Sequence, residues 1–419
     1  MKNVALFRTK IVLQSFLCAL LLLHQLPGES LAADYEFKPR IAVSEEYTDN
    51  VNESGVSARE EFITRAMPGF SLRYLAPRLD LTSSYNFDYH HYAKGTKGDE
   101  YTHNLAASST LTIVENLFFL QASDTYKRVS LDVARDTTTE SLFNNQSDQN
   151  VGTVSPYLVW RVGNNSTIKT GYRYTNTWYR ESSGIDKREH YGFVDASHEL
   201  MPRFSFTWGY QFSDTGTSDQ NFQRHNAYGG FRYEYADKSF LFGQVGNTWQ
   251  LFDNGISVSN LFWNAGLTHE FPMVTFTLET RVQYTEDPLQ SSIKETLYSG
   301  RLSRNFERGR IELSSGYSEY EITETGAIDR KKASVGTSGS YEILDRTNLS
   351  LGLLGEKFSQ RTVADYPYRI SANAGLTHTF NNDVSVSFNY FHTTYRYQIA
   401  RTSDSKDINR LILEVSKSF

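Results

Sequence analysis

The sequence predicts an all-β fold, a closed antiparallel transmembrane β-barrel of about 20 strands, with 18–20 strands as the expected range. Three observations carry this prediction. Apolar and polar residues alternate along long segments, short turn signals separate these segments at regular intervals, and an export signal precedes them. Together they indicate a chain that leaves the cytoplasm and then crosses a membrane with strands.

The alternation is strict, and its apolar positions are rich in aromatic residues. From Phe204 to Phe212 every second residue is aromatic, and the residues between them are Ser, Thr, Gly and Gln. Segments 79–89 and 384–390 follow the same pattern. A period of two indicates strands with one apolar and one polar face. A soluble sandwich would also alternate, but strands of a dozen residues with an aromatic face favour a membrane barrel.

A repeated phrase and nine turn signals set the strand number. The phrase NAGLTHEF at 264–271 returns as NAGLTHTF at 373–380, and a turn follows each copy. The turn signals lie at 76–78, 115–116, 163–165, 201–202, 237–238, 271–272, 307–309, 344–346 and 381–383. Nine short turns with both termini at the same end give ten hairpins, with strand one beginning near Phe37. Short periplasmic turns and longer extracellular loops are the expected asymmetry.

The first 32 residues have the features of a secretory signal peptide. Lys2, Arg8 and Lys10 precede an apolar stretch at 11–23, and Ser30-Leu31-Ala32 provides a small-residue cleavage site. We therefore expect a signal peptide at 1–32, Sec-type export, and a barrel at 33–419 in the outer membrane of a Gram-negative cell. The single cysteine, Cys18, lies within the signal, so the mature chain is expected to form no disulfide.

Charge excludes one class of partner. Removing residues 1–32 takes away three of the 42 basic residues and one of the 48 acidic residues, which leaves a net charge of −8. An acidic chain is a poor candidate for nucleic-acid binding.

The last strand carries an expected assembly signal. Leu411, Leu413, Val415 and Phe419 resemble the terminal strand that the barrel-assembly machinery reads in bacterial outer-membrane barrels. Lys417 departs from the usual apolar residue at its position. We therefore expect Phe419 to be the assembly signal.

Charged residues in the middle of strands are expected to face the interior, because charge toward lipid is costly. One hypothesis is a water-filled lumen whose charges select solutes; the alternative is that the charges merely neutralise one another across a filled interior. Loop 132–150 is either an exposed loop or one that folds inward and narrows the lumen. The candidate lumen-facing charges are Arg73, Arg173, Arg232, Glu234, Glu279, Arg281 and Glu312.

Neither an enzyme nor a metal or cofactor site is expected. The sequence has no nucleophile elbow, no metal signature and no group of Ser, His and acid near one rim. His90 and His91 point to opposite faces of a strand and cannot share a metal. His269 and His378, in the repeated phrase, are expected near the periplasmic interface.

The first mature segment, FKPRIAVSEEYTDNV at 37–51, resembles the opening strand of the β-barrel porin type 2 family. It is particularly similar to outer-membrane proteins that occur with PEP-CTERM/exosortase and exopolysaccharide systems. The resemblance implies a porin-like channel linked to exopolysaccharide or surface-protein export. The alternative is a non-conducting structural or assembly component of such a system. Expected partners are outer-membrane lipid, the barrel-assembly machinery, and polysaccharide or small polar solutes; the oligomeric state stays open.

Overall fold

Twenty antiparallel strands form one closed sheet in the computed structural model, which describes residues 33–131, 146–360, 367–397 and 405–419. The predicted fold class is confirmed. In these residues no helix is long and apolar enough to cross a membrane. The strands are β1 (Asp34–Thr48), β2 (Glu61–Ala76), β3 (Leu79–Tyr92), β4 (Glu100–Val114), β5 (Phe118–Ser130), β6 (Gln146–Val162), β7 (Ser166–Tyr179), β8 (Lys187–Met201), β9 (Phe204–Thr217), β10 (Phe222–Ala236), β11 (Ser239–Phe252), β12 (Ser257–Glu270), β13 (Thr275–Asp287), β14 (Gln290–Phe306), β15 (Gly309–Ile322), β16 (Ala327–Leu344), β17 (Thr347–Gln360), β18 (Tyr368–Thr379), β19 (Val384–Arg396) and β20 (Ser405–Ser418).

The first and last strands pair with each other and close the barrel. Their antiparallel register runs from Arg40 opposite Ser418 to Thr48 opposite Arg410. On the interior side Arg410 makes a bidentate ion pair with the buried Glu46, with Nε to Oε1 at 2.6 Å and Nη2 to Oε2 at 3.0 Å. Each strand therefore has a hydrogen-bonded neighbour on both sides, as a sheet in hydrocarbon requires.

Nine short connections lie at the end of the barrel that also holds both termini, which we call the turn end. They lie at the predicted positions. Most connections at the opposite end, the loop end, are longer, but β13 and β14 are joined there by only residues 288–289. Five of the short turns contain a residue other than glycine with φ between 49° and 72°, namely Asn116, Arg203, Lys238, Arg346 and Asp383. A one-residue register shift precedes each of the first four. A left-handed residue beside a bulge is a common way to close a tight hairpin.

Pro68 and Pro156 lie inside strands without shifting the register. Pairing with the next strand lapses at 67–68, beside Pro68, and again at 155–156, beside Pro156, and it resumes unchanged on the far side. The bulges or shifted strand boundaries expected from a missing amide do not form. At Pro156 the neighbouring Ser155 hydroxyl donates instead to the Tyr172 carbonyl at 3.0 Å.

The register assigns every strand residue to one of two faces, because directly paired residues share a face. Phe206 pairs with His198 on β8 and Phe231 on β10, and Phe206 and Phe231 are exposed on the outward face. Ser205 pairs with Arg232, which places both on the lumen face. The outward face is the aromatic one, and the lumen face is largely polar.

The repeated phrase has the same structure in both copies. Its Asn and Gly face the lumen, its Ala and Leu face outward, and its His packs edge-on against the Phe that ends the strand. His269 bonds Tyr235 and His378 bonds Thr347, each at 2.8 Å. The phrase is thus a strand ending in which an amphipathic His lies on the outward face near the turn end.

Closure by β1 and β20 can be tested with a disulfide. Val43 and Val415 are directly paired and exposed on the outward face. Paired antiparallel residues have Cα atoms about 4.5–5.5 Å apart, within the range of a disulfide. We expect Val43→Cys with Val415→Cys to cross-link on mild oxidation of the folded protein, seen as a non-reducing gel shift. Val43→Cys with Leu376→Cys, on β18, is the control; cross-linking of the control pair would contradict the seam.

Candidate functional site in the lumen

Large aromatic rings line one side of the lumen. Phe193 on β8, Tyr228 on β10 and Phe262 on β12 lie near the middle of their strands, and Phe242 on β11 lies nearer the turn end. The register places all four on the lumen face. Tyr228 and Phe262 have ring centroids 6.3 Å apart. We call these four residues the aromatic wall.

Each ring of the aromatic wall lies over a glycine on the neighbouring strand. The direct partners are Gly171 for Phe193, Gly209 for Tyr228, Gly246 for Phe262 and Gly266 for Phe242. A Cβ on any of these glycines would lie only 2.6–2.7 Å from the ring. Because the rings occupy the space above these glycines, a side chain at any of the four positions would have to displace a ring. Tyr228 and Phe262 are inclined to each other by 69°, so the two rings have different orientations toward the lumen.

On another part of the lumen, asparagine replaces the aromatic partner. Asn373 lies over Gly352, Asn389 over Gly375 and Asn86 over Gly69, again as direct cross-strand pairs near the strand centres. Between β14 and β19 the lumen face is otherwise mostly small and hydroxylated. Its serines are Ser299, Ser303, Ser314, Ser318, Ser334, Ser338, Ser340, Ser350, Ser371, Ser385 and Ser387. We call this part the amide and hydroxyl wall.

A cavity of about 450 Å³ opens on the lumen side beside Phe193. Lys169 and Arg173 border it, together with hydroxyl and amide side chains. The Lys169 ammonium lies 4.0 Å from the Tyr157 ring centroid, and the Arg173 guanidinium lies 4.2 Å from that of Tyr191. Cations held over rings in this way keep the aromatic side chains in place.

The seven charges predicted to face the lumen all lie on the lumen face by register. Five of them form an ion pair with a residue two positions away. Arg232 pairs with Glu234 at 3.6 Å and Arg281 pairs with Glu279 at 3.4 Å, and both partners of each pair belong to the predicted set. Glu312 pairs with Arg310 at 2.7 Å. Arg73 borders a second lumenal cavity that also contains Glu36, and Arg173 covers Tyr191. Because opposite charges lie side by side, the predicted charges do not form a ring of one sign.

At the loop end the barrel wall departs from a cylinder. The loop-end parts of β13 and β14, residues 282–293, pair with each other but β13 is no longer paired with β12 beyond Arg281. We call residues 282–293 the inner hairpin. Its Pro288 carbonyl accepts a 2.7 Å hydrogen bond from the Ile185 amide of the β7–β8 loop. The tip of the inner hairpin therefore lies away from β12 and contacts the β7–β8 loop.

The inner hairpin packs against the lumen faces of β10 and β11. Arg224 donates to the Ser292 hydroxyl at 3.0 Å, and its guanidinium lies 3.9 Å from the Tyr284 ring centroid. Ser292 also lies 3.4 Å from Gln250, whose side chain is fully buried. Ile293 is 0% exposed and packs with Tyr320. A packed hairpin inside the barrel fills part of the loop-end lumen.

Buried ion pairs secure this region, and the sequence analysis did not identify them. Asp287 of the inner hairpin pairs with Arg330 of β16, and both are buried. On the neighbouring strands Glu356 pairs with Arg369 and, at 2.7 Å, with Lys332. These residues lie beside predicted loops, where sequence alone indicates ordinary exposed charges. Their burial becomes evident only in the structure, where the inner hairpin lies inside the barrel.

Ion pairs also anchor the third hairpin at the loop end. Of loop 132–150, residues 132–145 lie outside the described residues, so the expectation for that loop stays a prediction. Its described end carries Asp148, which is buried and bonds Arg128 at 3.0 Å and Arg180 at 3.1 Å. The hydrogen bond that Arg180, in the β7–β8 loop, donates to the Asp148 carboxylate raises the pKa of Arg180 above its usual value. Arg180 therefore stays charged and ties that loop to β6.

Comparisons with known proteins show the fold alone. No protein-family model and no curated protein sequence matches the chain. Among solved structures, the FrpB iron transporter from Neisseria meningitidis (F3-3 variant) is 9% identical, with 91% of this chain and 81% of that chain covered and a TM-score of 0.52. The siderophore receptor PirA from Pseudomonas aeruginosa is 10% identical, with 92% and 80% covered and a TM-score of 0.53. The fold is that of large outer-membrane β-barrels.

The buried Glu356 and Arg369 pair predicts a large effect of removing one partner. Arg369→Met leaves Glu356 buried with only Lys332, and breaking a buried pair costs about 3–5 kcal/mol of unfolding free energy. The control is Arg310→Met, which breaks a half-exposed pair with Glu312 and should cost about 1 kcal/mol or less. Denaturant unfolding of the refolded barrel in lipid measures both. Equal losses would show that the Arg369 site is not enclosed.

Proposed function

We propose that this chain is an outer-membrane channel for saccharides whose loop end is narrowed by the inner hairpin. The observation that carries the proposal is the lumen at mid-height, where aromatic rings form one part and asparagine amides and hydroxyls form another. A sugar ring has C–H groups on its faces and hydroxyls around its edge. The faces pack on aromatic rings, and the hydroxyls bond amides and hydroxyls.

The charges of the lumen favour an uncharged solute. The candidate charges lie next to opposite charges, so their fields partly cancel at a distance. A strongly selective ion pore uses a ring of one sign instead. A lumen with local pairs, aromatic faces and hydroxyls therefore suits a neutral, hydroxyl-rich chain more than a small ion.

Location and cellular context complete the proposal. The aromatic outward face and the closed sheet support the outer membrane, reached by Sec-type export with the signal peptide at 1–32. Phe419 is exposed at the seam, where its amide donates to the Pro39 carbonyl at 2.9 Å, and an exposed aromatic residue beside the closing strand suits reading by the barrel-assembly machinery. The resemblance of residues 37–51 favours a saccharide of an exopolysaccharide or surface-protein export system.

A second candidate function is a non-conducting assembly component of the same system. The specific observation in its favour is the packing of the inner hairpin, which buries Asp287, Ser292 and Ile293 inside the barrel. If the hairpin never moves, it permanently obstructs part of the loop-end lumen.

Removing the inner hairpin separates the two functions. Tyr284 and Lys294 are directly paired, so residues 285–293 can be replaced by an Asn-Gly turn that leaves the rest of the hairpin intact. For a channel we expect larger single-channel conductance in planar bilayers than for the full chain. The control shortens a hairpin whose tip stays on the rim, replacing residues 216–221 between the paired Thr215 and Phe222. A shortened β13–β14 variant that conducts no more than the full chain would favour the assembly component.

Saccharide recognition is tested in the opened variant. We expect neutral glucose oligosaccharides to block its current, and Phe262→Ala to weaken the block about tenfold, equivalent to about 1.4 kcal/mol, because one stacking face is lost. The matched control is Phe206→Ala, which removes the same side chain from the outward face. The proposal fails if oligosaccharides do not block the open channel, or if Phe206→Ala weakens the block as much as Phe262→Ala.

A further inference from the structure

The outward face of the barrel carries one large concave site. Eight consecutive strands, β11 to β18, line a single groove with a volume of about 1120 Å³. The side chains that point into it are on the outward face by register, and they are mostly apolar. They include Leu241, Leu267, Leu278, Tyr298, Val335 and Ile370. We call this groove the wall furrow.

A row of small residues on the outward face accounts for the groove. Directly paired residues run obliquely across the strands, and this row includes Gly300, Ser315 and Gly355. Ala265 and Ala333 lie beside it. At Gly355 an added Cβ would meet only the Val335 carbonyl, at 3.8 Å. The small side chains leave a groove between larger neighbours, and its volume lies just above the usual range of ligand sites, about 300–1,000 Å³.

The two ends of the wall furrow differ in charge. It starts near the turn end at Leu241 and rises to the loop end at Lys357 and Tyr368, and Lys357 is the one cation among its lining residues that the structure describes. The Lys357 ammonium lies 5.7 Å from the Tyr368 ring centroid and is exposed. Lys331, on the same face of the next strand, pairs with Glu319 at 2.7 Å. The loop end therefore offers positive charge above an apolar groove.

We propose that the wall furrow binds a phosphorylated, multiply acylated glycolipid of the lipid A type, with its acyl chains in the groove and a phosphate at Lys357. Flexible acyl chains fill a curved apolar groove, and ammonium groups bind phosphate. A phospholipid of the periplasmic leaflet would place its headgroup at the turn end, where the lining residues provide no cation. A second copy of the barrel would present a convex wall that does not fit an oblique furrow. The inference rests on the proposed outer-membrane location only, not on conduction.

Lipid retention by the refolded full-length mature chain tests the site without any transport assay. The protein in detergent is titrated with lipid A, with dephosphorylated lipid A, and with phosphatidylglycerol, and bound lipid is counted by native mass spectrometry. We expect lipid A to bind at least tenfold more tightly than either of the other two. Phosphatidylglycerol that binds as tightly as lipid A would overturn the proposal, as would equal binding of the dephosphorylated form.

Three variants locate the binding. Lys357→Glu should weaken lipid A binding about tenfold through charge, and Gly355→Leu should weaken it by filling the groove. Arg188→Glu is the control, because Arg188 is an exposed outward-facing cation near the loop end of β8, away from the furrow. A heat-modifiable gel shift confirms that each variant is folded. If the control weakens binding as much as Lys357→Glu, or if neither furrow variant does, lipid A does not bind in the wall furrow.

Discussion

Closure of the sheet between β1 and β20 is the constraint on which the rest of the structure depends. A strand edge in hydrocarbon leaves unpaired amides that cost several kcal/mol each, so a membrane sheet must close. Here the seam is fixed by nine residue pairs and by the bidentate pair of Arg410 with Glu46. Once the sheet is closed, the register of each strand is fixed by the strands on both sides of it. A shift of one residue at any strand would exchange its aromatic and polar faces.

The lumen is lined by different side chains on different strands, and the register determines which ones. Aromatic residues lie over glycines on β7 to β12, and asparagines lie over glycines on β17 to β19 and on β2 and β3. The same arrangement, a large side chain placed over a neighbouring glycine, occurs on both surfaces. Tyr228 and Phe262 are inclined to each other by 69°, so the aromatic wall is not one flat surface. The only large obstruction that the described residues show comes from the inner hairpin.

Sequence alone predicted the features that depend on local pattern. The nine turns, the two faces and the closing position of the last strand follow from turn chemistry and a period of two, which are local properties. The aromatic wall was missed because pairing Phe262 with Gly246 needs the register, although glycine recurs on polar faces as a visible signal. The inner hairpin was missed for a stronger reason. Whether β13 stays paired with β12 beyond Arg281 depends on packing against strands that are distant in sequence. In the sequence, Asp287 and Arg330 look like ordinary charges near loops.

The inner hairpin and the wall furrow lie on the same strands but on opposite faces. The hairpin is the loop-end part of β13 and β14, and the contacts of Ser292 with Arg224 and Gln250 hold it inside the barrel. The furrow crosses the outer face of the same two strands closer to the turn end, at Leu278 and Tyr298. Because successive side chains of a strand point to opposite faces, a residue of β13 or β14 can contribute to only one of the two sites. Substitutions can therefore change the lumen and the outer groove independently.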